Sequence, residues 1–196
     1  MQEIDNLVAV FSRLPGFGPR SAKRVVLQLL KKQDVLMTPL INALKLAKNN
    51  VCDCEICGNI DTKSPCGVCN DLKRDKITIC VVENVADLWA MERTDIYKGK
   101  FHILGGALSA IDGITPQHLN IDGILNRIKQ DNISEIILAT NLTVEGQSTA
   151  HYLAEILRPY NIKTTRLANG VPVGGELDYL DDGTLAVALQ ARQEIE

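Results

Sequence analysis

The sequence predicts an α/β protein, a parallel sheet flanked by helices, preceded by a helical head and a small four-cysteine finger. Three observations predict it. Residues 77–196 alternate between strand-like and helix-like apolar spacing. Residues 51–76 hold five of the six cysteines among Gly, Asn, Asp and Pro, with too few apolar residues to bury a core unaided. Residues 1–50 carry two helical apolar patterns separated by a Gly/Pro turn. The chain therefore divides into 1–50, 51–76, 77–170 and a closing loop and helix over 171–196, assigned to packing or oligomerisation.

In the head, Ile4, Leu7, Val8, Phe11 and Leu14 recur at helical spacing, as do Ala22, Val25, Val26, Leu29 and Leu30. Pro15-Gly16-Phe17-Gly18-Pro19 between them must turn tightly. A third helix is expected from Thr38, with Thr38 as N-cap and Pro39 in its first turn. The glycine turn is not a dinucleotide-binding fingerprint, because it follows a helix and has Ser21 in place of the third glycine. It offers backbone N–H groups around Gly16 and Gly18 at a helix N-terminus, where a phosphate can bind. Arg20 lies three and four residues from Lys23 and Arg24, so the three share a helix face. That suits a sequence-independent grip on a nucleic-acid backbone. An αα-hairpin with a solvated basic face fits the same residues equally well.

In the finger, Cys54-x2-Cys57 and Cys66-x2-Cys69 are eight residues apart. Two CxxC turns supply four thiolates for a tetrahedral structural zinc, one per chain, with no open catalytic position. Gly58 and Gly67 each follow a cysteine and relieve crowding there. Cys52 is an alternative to Cys54 with poorer spacing. Cys80 sits in an apolar strand and reads as core.

In the body, strands are expected at 77–83, 101–104, 135–139 and 164–167, with helices at 86–93, 124–129, 149–157 and 184–193. Glu83 ends the first strand, where α/β sheets place their sites. Thr140-Asn141-Leu142-Thr143-Val144-Glu145-Gly146 follows the third. A Mg²⁺-dependent enzyme needs clustered carboxylates at such a position. Glu83 and Glu145 are acidic, Asn141 and Thr143 are not, and Asp112 is a possible third acid from the loop after the second strand. Both glutamates can equally be helix N-terminal carboxylates. His102, His118 and His151 stand apart, in no catalytic motif, and there is no phosphate-binding P-loop.

Composition bounds the function. The formal net charge is −3, the apolar fraction 45% and the aromatic fraction 4%, so base stacking on aromatic platforms is not indicated. The charge is uneven: residues 1–50 carry eight Lys or Arg against three acids, a net +5, which leaves −8 for the remainder. A basic head on an acidic body marks a local polyanion site and suggests a basic protein partner for the body. No stretch reaches membrane-span length, and the acidic start is unlike a signal peptide, so a cytoplasmic location is expected. Cysteines in that compartment favour metal ligation over disulfides.

The order of parts resembles the RecR family of bacterial recombination mediators across essentially the whole chain. The resemblance is carried by the Pro-Gly-x-Gly-Pro hairpin, the four cysteines, Val81-Val82-Glu83, Asp112-Gly113-Ile114, Ala139-Thr140-Asn141-x-Thr143-x-Glu145-Gly146 and Gly170-Val171-Pro172-Val173-Gly174-Gly175-Glu176-Leu177. It implies a Toprim fold for the body, with an N-terminal helix-hairpin-helix that binds DNA through Arg20 and Arg24, with Lys23 between them. It implies zinc on Cys54, Cys57, Cys66 and Cys69. It also implies a ring-like homotetramer, nucleoid-associated on DNA, acting with RecO-type and RecF-type proteins to load a recombinase on single-stranded DNA. Catalytic Toprim proteins carry an Asp-x-Asp pair where Asn141 and Thr143 stand here. Leu142 departs from the family's proline, which bears on that loop's shape.

Two rival readings accompany this one. A Mg²⁺-dependent Toprim nuclease or topoisomerase-like enzyme would use Glu83 and Glu145, although none of Tyr97, Tyr152, Tyr160 or Tyr179 sits in a nucleophile motif. A zinc scaffold would bind only proteins. On the leading reading the chain is not an enzyme, and Glu83, Asn141 and Glu145 serve a protein partner.

Overall fold

The computed structural model describes residues 1–168, 170–172 and 174–191. The chain divides into two compact units, Met1–Cys52 and Asp53–Glu196.

The first unit is helical: α1 spans Gln2–Ser12, α2 Pro19–Lys31 and α3 Thr38–Asn50. Ala22, Val26 and Leu29 of α2 are buried at the spacing of one helical face. α1 forms as its pattern predicts, but none of its residues is fully buried. Thr38 is not an N-cap. A π-helical turn, Gln33–Met37, runs straight into α3, so Thr38 is already helical (φ −60°, ψ −49°), with its own N–H donating to Gln33 O.

At the boundary of the units β1 (Cys52–Asp53) pairs with β2 (Ile60–Asp61), and one helical turn, α4 (Gly67–Asn70), follows in the second unit. The sheet follows: β3 (Thr78–Val82), β4 (Lys100–Ile103), β5 (Glu135–Ala139) and β6 (Lys163–Arg166), all parallel, in the order β4-β3-β5-β6. Each predicted strand is present within a residue or so of its expected ends. α5 (Val85–Thr94), α6 (Ile121–Gln130) and α7 (Val144–Leu157) supply the crossovers. Asn84 and Asp87 start α5 with a capping box, and Thr143 caps α7 by accepting the Gly146 N–H.

Burial on both faces explains the unbroken apolar runs of β3 and β5. One face packs Ile79, Val81, Ile136 and Leu138 against Ile121 and Ile124 of α6 and Leu153 and Leu157 of α7. The other packs Cys80, Val82, Phe101, Ile103 and Ala139 against Leu88 of α5 and Val68 of α4. Cys80 is thus a core residue, its thiol pushed up to about 12 by burial. A final helix, α8 (Asp182–Gln190), starts two residues before its expected position, capped by Asp181; residues 192 and 193 of the expected helix, and Val173 of the glycine-rich loop before it, lie outside the described residues.

Candidate functional site

The four cysteines converge. The Sγ atoms of Cys54, Cys57, Cys66 and Cys69 all lie within 4.8 Å of one another, with Cys57 to Cys66 at 3.6 Å and Cys54 to Cys69 at 3.9 Å. Tetrahedral ligation at a metal–sulfur distance of about 2.3 Å requires sulfurs about 3.8 Å apart, so the donor set fits one such ion. Each CxxC turn is closed by its own backbone: Gly58 N–H donates to Cys54 O (2.9 Å) and Asn70 N–H to Cys66 O (2.9 Å). Gly58 has φ +77°, and a side chain there would press on Ile103 O at 3.3 Å, which ties this glycine to its position. Cys66 N–H donates to Cys54 Sγ (3.3 Å) and Cys69 N–H to Cys66 Sγ (3.5 Å).

The thiols split in acidity. Burial raises Cys54, but the backbone N–H groups of Cys66, Cys57 and Ile56 outweigh it and hold the thiol at about 7. The hydrogen bond with Cys69, then burial, drives Cys57 strongly upward, and burial raises Cys66. Four thiolates this close repel one another unless a multivalent cation sits among them. Cys52 is exposed and outside the group. Among the described residues no other three His, Cys, Asp or Glu side chains are close enough to hold a metal.

In the first unit, Phe17 N–H donates to Leu14 O (3.1 Å), and Phe17 packs on Phe11 with ring centroids 6.1 Å apart. Gly16 has φ +80°, so the turn requires glycine there; Gly18 has φ −81° and open space beside it, so it does not. Arg20, Lys23 and Arg24 are exposed on the first turns of α2 and have no carboxylate partner among the described residues. Pro19, the first helical residue, has no N–H, and Ala22 N–H makes the first intrahelical bond, to Gly18 O (2.9 Å). The N–H groups of Arg20 and Ser21 remain directed out of the helix end.

The ends of β3 and β5 meet at Glu83. This side chain is only 6% exposed, and both oxygens are occupied: Asn141 N–H donates to Oε1 (2.7 Å) and Asn141 Nδ2 to Oε2 (2.8 Å). Gly146 closes the corner, since a Cβ there would lie 2.2 Å from Asn141 O and 2.7 Å from Glu83 Oε1. Glu83 is therefore an internal strut, not a helix N-terminal carboxylate. Glu145 is half-buried in the first turn of α7, where the dipole favours it, and Asn141 is exposed. Asp112 is held locally, accepting from Ser109 Oγ at 2.7 Å. Beside this corner an open groove of about 620 Å³ is lined by Asp87, Met91, Asn141, Gln147, His151 and Arg166 among others.

Two functional-looking side chains went unread in the sequence: Lys100 and Arg127 are buried cations. His102, read from sequence as standing in no motif, is a fully buried histidine whose Nε2 meets Asn120 O at 2.6 Å. Their burial depends on the finger and on α6 covering β4, which no local pattern announces.

A helical hairpin with a basic lip, a four-thiol finger and a parallel sheet with a carboxylate at its β3 corner define a class: a helix-hairpin-helix head joined to a Toprim-type body. The family models agree, with RecR, helix-hairpin-helix matching residues 4–48, the Toprim domain 78–168 and RecR, C-terminal 170–193. The chain is 52% identical over 195 residues to the Recombination protein RecR of Erythrobacter litoralis, covering 100% of this chain and 98% of that one. It is 56% identical over 193 residues to that of Bartonella quintana (98% and 96% covered) and 55% over 190 residues to that of Nitrobacter hamburgensis (97% and 95%). The chain belongs to the RecR family. Among the described residues no helix is long and apolar enough to cross a membrane.

Proposed function

We infer that this chain is a non-catalytic, DNA-binding recombination mediator. The observation that carries the reading is the unpaired cationic face of Arg20, Lys23 and Arg24 at the hairpin, flanked by free backbone N–H groups. Such a face neutralises phosphates and releases counterions without reading bases, as a factor acting on any damaged sequence requires. The name Recombination protein RecR, borne by relatives more than half identical to this chain, supports the recombination role.

The cysteine centre holds one structural zinc: four sulfur donors at tetrahedral spacing and a closed coordination sphere favour that ion over a catalytic one. The metal would hold the two CxxC turns together and supply no reaction step. The Toprim corner supports a non-catalytic role as well, because both Glu83 oxygens serve Asn141. Glu83 then shapes a partner surface from within, while Asn141 and Glu145 face a basic partner. RecO-type and RecF-type proteins are the partners this reading assigns, with a homotetramer, cytoplasmic and nucleoid-associated on DNA, loading the recombinase on single strands. Repetition of a weak phosphate grip around such an assembly multiplies its affinity.

The test is DNA affinity against salt for the zinc-loaded wild type and for the Arg20→Ala/Lys23→Ala/Arg24→Ala variant. On single strands the variant should lose about 2 from the slope of log K against log salt, at about 0.7 per phosphate contact. Equal affinity and slope in a folded variant would move the DNA grip elsewhere. Mg²⁺-dependent nicking of a plasmid, abolished by Glu83→Ala, would replace the mediator with an enzyme.

A further inference from the structure

Lys100 opens β4, yet it is only 7% exposed. Its Nζ donates to three carbonyls, Val68 O, Cys69 O and Asp71 O, each at 2.9 Å. All three belong to α4 or to its C-cap, so the ammonium sits against the turn that bears Cys69. Among the described residues no carboxylate comes within ion-pair distance of it. Asp71 turns its carboxylate to Arg74, and Arg74 is paired with Glu92. The groove beside it adds Lys76 and the buried Arg127 against one acid, Asp131.

A buried ammonium without an anion is expensive, and three carbonyl dipoles replace only part of its lost hydration. Capping of α4's last carbonyls accounts for the three hydrogen bonds but not for the buried charge, because a four-residue helix has a small dipole. The adjacent cysteine centre does. A divalent ion on four thiolates carries two net negative charges, and Cys69, whose carbonyl Lys100 holds, is one of the four ligands. The same strand holds the other CxxC turn, since Ile103 N–H donates to Cys57 O at 2.8 Å. β4 thus grips both halves of the centre, and the grip on the second half is charged.

We propose that Lys100 is the counter-charge of the metal centre: its buried ammonium, fixed on the Cys69 turn, balances the anionic four-thiolate site and slows metal loss. This rests on the zinc reading above. Outer-shell partners of metal ligands typically alter affinity by about 10–100-fold.

The test compares full-length, zinc-loaded wild type with Lys100→Arg, which keeps the charge, Lys100→Gln, which keeps donors without charge, and Lys100→Met, which keeps neither. Zinc per chain is measured first, then the rate of zinc transfer to a chromogenic chelator, with circular dichroism reporting the fold. Lys100→Gln and Lys100→Met should release zinc about tenfold faster or more, and Lys100→Arg within about threefold of wild type. If Lys100→Gln retains zinc like wild type, or Lys100→Arg releases it as fast as Lys100→Met, charge is not the cause and the proposal falls. Should the neutral variants not fold, Lys100→Arg decides alone: wild-type retention upholds the proposal, and fast release or misfolding overturns it. A wild type that carries no zinc sinks the metal reading itself, which is a separate result.

Discussion

The second unit contains two polar centres of opposite character. At the finger, four sulfur donors face one another at a spacing that suits a single metal ion. At the β3–β5 corner, a carboxylate that resembles a metal ligand is already satisfied by the main chain and amide of Asn141. One centre offers four donors at a spacing suited to an ion, the other is completed by the protein. Candidate ligands therefore say little until their hydrogen bonds are counted, because each bond a carboxylate oxygen accepts takes one of its lone pairs and competes with a cation for the group.

The largest effect should come from breaking the four-sulfur centre. Cys57→Ser leaves three thiols and should lower the melting temperature by about 10 °C or more, a loss of roughly 3–5 kcal/mol for a chain of this size. Calorimetry with and without zinc checks it; a wild type indifferent to chelator would erase the contrast between the centres.

Next comes crowding of the self-completed centre. Gly146→Ala puts a Cβ into the Asn141 carbonyl and the Glu83 carboxylate. It should cost about 2–4 kcal/mol in urea unfolding, with no change in zinc content.

Converting one centre toward the other is a smaller change. Asn141→Asp exchanges an amide donor for a second carboxylate against Glu83, at about 1–3 kcal/mol near neutral pH. Like charges raise one of the two carboxyl pKa values in the fold, so the loss should shrink as pH falls, and millimolar Mg²⁺ should reverse part of it. A variant unmoved by either would show that the loop simply opens.

Acid probes a third, milder case. Burial, with the neighbouring Arg127 charge also disfavouring protonation, holds His102 at about 4 against its ordinary 6.5, although its bond to Asn120 pulls the other way. The unfolded chain then binds the extra proton first. His102 contributes stability in full above about pH 6.5, and this is lost as pH falls towards about 4. Between pH 7 and 5 the loss should be about 1–2 kcal/mol, and His102→Gln should flatten it in denaturant titrations.

Much of this was legible from residue order, for identifiable reasons. The cysteine cluster needs only local turns, so spacing alone brings out its four members and prefers Cys54 to Cys52. β3 and β5 are buried on both faces, and their apolar runs announce them. The Glu83–Asn141 contact links residues 58 apart in sequence. It was recoverable only from register, since Val82 and Ala139 are aligned partners at the ends of adjacent strands. α7 begins at Val144, five residues before its apolar pattern does, because Thr143 caps it; the polar first turn hid the start. Thr38 misled because a good capping residue does not cap a chain that is already helical. Lys100 reads as a solvated strand end, and only the finger packed over β4 makes it a buried charge.

The bond from Ile103 N–H to Cys57 O also bears on solubility. β4 is a margin of the sheet, and the finger occupies part of its outward-facing hydrogen-bonding row. Margins left bare recruit strands from other molecules. On the zinc reading, chelated protein should turn turbid and sediment at concentrations the loaded protein tolerates. The finger thus covers part of a margin through which copies of the chain would otherwise be free to pair.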